Sequence, residues 1–160
     1  MTDDPAARFG AALRRLLDQL DGALEAAYAA DGLDFRPRYT PVVRALDEHG
    51  PLTIRALQRL LGVSHSATSQ TVAQMVARGL LTSKPGRDAR EKVIAATPAL
   101  DALVPRLRHH WDAATRTTVA LDREAGGLLA AVTRANEALA RSPYGERLAQ
   151  AASINDSCTS

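Results

Sequence analysis

Cysteine occurs once in the 160 residues, as Cys158, so no internal disulfide can form, and a lone thiol fits a reducing compartment. Aromatic residues make up only 4% of the chain while alanine fills 31 positions, a balance that favours helix over sheet. No apolar run approaches the ~20 residues that a membrane-spanning helix needs. The first residues, MTDDPAARF, are acidic and lead into no short apolar stretch, so no secretory signal is expected. Nucleophile elbow, glycine-rich phosphate loop and paired zinc motif are all missing, which leaves an enzyme reading without support and implies no cofactor. With 46% hydrophobic and 24% charged residues, disorder throughout is excluded. The expectation is a mainly helical cytoplasmic protein of one domain, or one domain with a small appendage.

Net charge is +2, but it is unevenly spread. Residues 1–50 carry −3, residues 51–97 carry +5 and residues 98–160 are neutral. A basic middle between acidic and neutral ends is either a solvated basic face or the footprint of a nucleic-acid reader on a scaffold.

Periodicity divides the chain. Phe9, Leu13, Leu16, Leu17, Leu20, Leu24 and Tyr28 form one apolar stripe on a helix over about 6–29. A second helix is predicted between Arg36 and Glu48, with Pro41 at its first regular turn. Thr53 is a good N-cap for a short helix bearing Ile54, Leu57, Leu60 and Leu61, with Leu52 stapled onto Leu57; Gly62 stops it. Another helix follows at once, over 64–78. Two short helices joined by a glycine-containing turn read as a helix-turn-helix. After Gly79 the period changes: Leu80–Ser83 and Lys92–Ala96 read as strands around a turn-rich Lys84–Asp88, which makes a two-stranded wing over 82–95. Thr97 then caps a long helix with Leu100, Leu103, Val104, Leu107 and Trp111 on its stripe. Pro105 is expected to kink that helix or mark its true start. Asp122 reads as the N-cap of a last helix over 123–141.

This order is similar to the MarR family of winged-helix transcription regulators. The residues that carry the resemblance are Leu-Gly-Val-Ser-His-Ser-Ala-Thr-Ser-Gln-Thr-Val at 61–72, Gly79-Leu80-Leu81, and Asp88-Ala89-Arg90. The resemblance covers about residues 6–141. It implies a mainly α fold with a small two-stranded β wing, a winged helix-turn-helix core on a helical dimerisation scaffold. The corresponding division is 1–35 for an N-terminal dimerisation helix, 36–97 for the DNA-binding region and 98–150 for C-terminal dimerisation helices; the polar composition of 151–160 reads separately as a disordered tail. The resemblance further implies a homodimer, most often a repressor, on a palindromic double-stranded DNA operator. A small aromatic or anionic effector is implied as well, in a pocket that Tyr28, Arg38, Tyr39 and Trp111 are candidates to line. Aromatics at helical spacing more often belong to a plain core.

A recognition helix must bury one face and offer the other to base edges. Val72, Met75 and Val76 are core positions, joined by Thr68 and Thr71. The candidate DNA contacts are Ser64, His65, Ser66, Ser69, Gln70 and Gln74, with Lys84, Arg87 and Arg90 from the wing. His65 serves either as a contact or as an ordinary early helical residue. The resemblance marks Arg90 as the minor-groove residue and Asp88 as the partner that orients it. His109, His110 and Asp112 invite a metal reading, but adjacent histidines on a helix point about 100° apart, so none is expected. A rival reading is a winged-helix protein–protein adaptor without specific DNA binding. It is motivated by Ser83, where the family usually places an arginine, and by a short wing tip.

Overall fold

The computed structural model describes residues 5–86 and 91–157. The chain forms two compact units, Met1–Asp112 and Ala113–Ser160.

In the first unit, helix α1 spans Pro5–Ala30. A linker follows, ending in a 3-10 turn at Pro37–Tyr39. Helix α2 (Thr40–His49) has Pro41 in its first turn, as its missing N–H allows. Strand β1 is only Leu52–Thr53. Thr53 then caps helix α3 (Ile54–Leu61), its hydroxyl accepting the Ala56 N–H at 3.1 Å. Gly62 closes that helix at φ 63°, a left-handed backbone that residues with a Cβ adopt only with strain. Helix α4 runs His65–Ala77, and strands β2 (Leu81–Pro85) and β3 (Lys92–Ala96) follow.

The sheet has three strands, not the two read from the sequence. Its order is β1-β3-β2, all antiparallel, with Leu52 opposite Ile94, Leu81 opposite Ala96 and Pro85 opposite Lys92. A two-residue strand is too short to show alternation, so Leu52 and Thr53 read as staple and cap alone.

The core joins these elements. Leu57 from α3, Val72 and Met75 from α4, Leu81 and Ile94 from the sheet, and Leu100 and Leu107 from helix α5 (Pro98–Glu124) are all buried. Leu33 and Phe35 from the linker are buried with them. Thr97 caps α5 by accepting the Leu100 N–H at 3.3 Å and donates its hydroxyl proton back to the Gly79 carbonyl at 2.7 Å. One side chain therefore fixes both the start of α5 and the exit from α4. Pro105 lies within α5, which begins at Pro98, so it does not mark the helix start.

The second unit holds the end of α5, helix α6 (Leu128–Arg141) and helix α7 (Tyr144–Ser157). Asp122 was expected to begin the last helix, but α5 continues past it to Glu124. The break falls at Gly126 and Gly127, with φ of 71° and 93°. Asp122 still caps α6 across that turn, accepting the Leu129 N–H through Oδ1 at 2.6 Å. Where the sequence suggests a disordered tail from Ala151, α7 continues to Ser157. Among the described residues no helix is long and apolar enough to cross a membrane.

Candidate nucleic-acid interface

Helix α4 starts at a built cap. The Ser64 Oγ accepts the Ala67 N–H at 3.3 Å, and the Thr68 hydroxyl donates to the Ser64 carbonyl at 3.0 Å. Ser64, a candidate DNA contact in the sequence, is therefore engaged in starting the helix. Thr68, Val72 and Met75 are buried at 2%, 3% and 0% exposure, a row of three- and four-residue steps that fixes the inner face.

The opposite side is left to solvent. His65, Ser66, Gln70, Ala73, Gln74 and Ala77 are exposed and Ser69 half-buried. The structure thus brings the sequence-predicted set His65, Ser66, Ser69, Gln70 and Gln74 onto one outward surface. His65 Nε2 lies 3.4 Å from Ser69 Oγ, one turn apart. No residue from 60 to 77 carries a formal charge, so this surface can offer hydrogen bonds and small apolar contacts but no ion pairing.

Charge surrounds it instead. A cleft of about 920 Å³ runs between α4, the start of α3 and the wing strands. His65, Ser69, Val72, Ala73 and Val76 form one wall, and Arg55, Ser83, Glu91 and Lys92 face it. Lys84 is exposed on β2. Arg55 and Lys92 were not singled out from the sequence. The signal for Lys92 was the hairpin register, which sets it opposite Pro85 at the wing end of the sheet. Arg87, Asp88 and Arg90, the wing tip candidates, lie outside the described residues, as does Cys158.

Arg78, which ends α4, is turned away from this surface. Its guanidinium donates to the Asp34 carbonyl at 2.8 Å, pairs with the Asp34 carboxylate and lies 5.7 Å from the centre of the Tyr39 ring. The hydrogen bond to Asp34 is the main cause that raises its pKa, with partial burial opposing.

The effector-pocket candidates lie in and against the core. Tyr28, Tyr39 and Trp111 are 0%, 1% and 4% exposed. The Trp111 Nε1–H donates to the Tyr28 hydroxyl at 3.1 Å, and the edges of Tyr28, Phe35 and Tyr39 meet at ring-centre separations of 5.6 Å. Arg38 is exposed, its guanidinium 5.7 Å from the Tyr39 ring centre. His110 is held by Asp31 at 2.9 Å, and among the described residues no cluster of His, Cys, Asp and Glu could hold a metal ion.

Residues 32–91, from the linker through the wing, match the model of the MarR family. That segment is similar to the winged helix-turn-helix of the MarR family. Solved structures with this fold include PcaV from Streptomyces coelicolor in complex with its natural ligand, at 20% identity. That alignment covers 86% of this chain and 99% of PcaV, with a TM-score of 0.65. BpsR of Bordetella bronchiseptica, whose DNA binding is described as regulated by 6-hydroxynicotinic acid, aligns at 17% identity over 84% and 98%, with a TM-score of 0.63. A probable transcriptional regulator from Pseudomonas aeruginosa aligns at 24% over 79% and 95%, with a TM-score of 0.60. No curated protein matches the chain. PcaV and the Pseudomonas protein are described as transcriptional regulators, and this chain shares their fold.

Proposed function

We propose that this protein is a homodimeric transcriptional regulator acting in the cytoplasm, a repressor that binds a palindromic operator with α4 in the major groove and the 82–95 wing against the minor groove. The observation that carries the reading is the exposed, uncharged face of α4 set between cationic side chains. Arg55, Lys84 and Lys92 suit phosphate, while His65, Ser66, Ser69, Gln70 and Gln74 suit base edges. Arg90, oriented by Asp88, completes the minor-groove contact.

The dimer is supported by apolar side chains left exposed in the single chain: Phe9 at 68% and Leu17 at 59% on α1, and Leu129 at 69% on α6. Covering them with a second copy also supplies two recognition helices about one turn of B-DNA apart. Regulation of BpsR's DNA binding by 6-hydroxynicotinic acid supports an organic-acid effector, and PcaV's complex with its natural ligand supports a ligand site in this fold. Here its carboxylate would meet exposed Arg38, whereas Tyr28, Tyr39 and Trp111 would have to part to admit an aromatic ring.

The test is an anisotropy titration against DNA upstream of the protein's own gene and of other promoters, at several salt concentrations. Saturable binding that weakens steeply with salt supports the regulator. Gln70→Ala should then cost about tenfold on the specific site and little on random DNA. Salicylate-like acids that shift neither melting temperature nor DNA affinity would remove the effector from the reading. Binding everywhere equal to random DNA would favour the adaptor, whose anchors would be Leu60 and Val63, exposed by 51% and 44% beside the helix-turn-helix turn.

A further inference from the structure

Guanine shows two acceptors to the major groove and is met best by a forked cation, whereas adenine shows one acceptor and one donor, the complement of a carboxamide. Thymine adds the only methyl group that groove displays. Helix α4 has no cation with which to fork a guanine: the stretch from 60 to 77 is uncharged, and Arg78 is held by Asp34 over Tyr39. What it exposes are two carboxamides one turn apart, Gln70 and Gln74, and beside them two methyl groups one turn apart, Ala73 and Ala77. Ala73 and Ala77 also line the cleft toward the wing, and their short side chains let the helix backbone come close to the bases.

We infer that α4 reads an A·T half-site, Gln70 and Gln74 taking adenine edges and the Ala73–Ala77 ridge taking thymine methyl groups. This rests on the DNA-reading function proposed above and adds what that function selects. The wing can favour A·T pairs from the minor groove independently, so the test has to alter the major groove alone.

The full chain is used to select duplexes from a random library, and the selected site is resynthesised with deoxyuridine for thymidine or 7-deazaadenine for adenine, each of which changes only the major-groove edge. Loss of each methyl group that counts should weaken binding about fourfold, and 7-deazaadenine under Gln70 about tenfold. In Ala73→Gly and Ala73→Ser the thymidine-to-deoxyuridine affinity ratio should fall toward one. That ratio compares two DNAs on one protein, so partial misfolding of a variant does not move it. In Gln70→Ala the 7-deazaadenine penalty should vanish. A selected half-site whose guanines lose affinity when replaced by 7-deazaguanine, with no effect of deoxyuridine, would overturn this inference and leave DNA reading intact. A library that yields no enriched sequence would overturn both.

Discussion

Helices α4 and α6 are nearly the same length, 13 and 14 residues, yet they stand in opposite relation to solvent. Helix α4 buries Thr68, Val72 and Met75 and shows a polar face. Helix α6 repeats leucine and valine at helical spacing and buries none of its residues, leaving Leu129, Val132 and Leu139 exposed by 69%, 40% and 40%. An apolar stripe states that a face needs covering; it does not state by what. In α4 the cover comes from the same chain, so what remains outside is a surface for a polar ligand. In α6 the stripe itself remains outside, a surface for another apolar stripe. Every buried hydrophobic among the described residues falls between Tyr28 and Trp111, so the winged helix carries its own core and α6 does not.

The comparison can be broken most forcefully from the α4 side. Met75→Ala, at a fully buried position on α4, should cost about 3 kcal/mol of stability, read from the shift of a denaturant midpoint. On the α6 side, Leu129→Asp with Val132→Asp should leave the winged helix folded, as judged by circular dichroism. In the proposed twofold dimer each substitution counts twice, so self-association should weaken by about a hundredfold. Sedimentation velocity over a dilution series measures it. Were the double variant to unfold instead, α6 would belong to the chain's own core and the contrast would fail.

Smaller effects sharpen the picture. Arg78→Ala removes the tie between α4 and the 31–36 linker and should cost about 1 kcal/mol. Because the guanidinium's pKa is raised in the fold, its contribution is fully present below the ordinary arginine value and is lost only as pH rises past it. The Arg78→Ala deficit should therefore be the same at about pH 6 and about pH 9, measured by thermal melts at each. Ser64→Ala should cost up to about 1 kcal/mol through the loss of a helix cap. If Ser64 is a cap and nothing more, its effect on DNA affinity should vanish once the folded fraction is equalised at lower temperature.

Much of this was legible in the sequence because it is local. Thr53 and Thr97 sit immediately before apolar periodicity, and each accepts the expected backbone N–H; Ser64, read only as a DNA contact, proves to cap α4 in the same way. The outward set on α4 follows from the three- and four-residue spacing of Thr68, Val72 and Met75. What escaped was either too short or too distant. Strand β1 has two residues, less than one full alternation. Asp122 was recognised as a cap, but the helix it caps begins after the two glycines, six residues on at Leu128. Leu33 and Phe35 looked like linker, and their burial depends on partners far along the chain. The Arg78–Asp34 and Trp111–Tyr28 contacts span 44 and 83 residues, and no local pattern announces either.

The Trp111–Tyr28 hydrogen bond has a practical consequence. Trp111 is the chain's one tryptophan, 4% exposed, with the Arg44 guanidinium 5.1 Å from the centre of its ring. Its indole reports on the join between the α1 end and α5 by intrinsic emission. Native protein should emit toward the blue and shift red when that join opens, so an acid that parts Tyr28 from Trp111 would announce itself in a cuvette without any label.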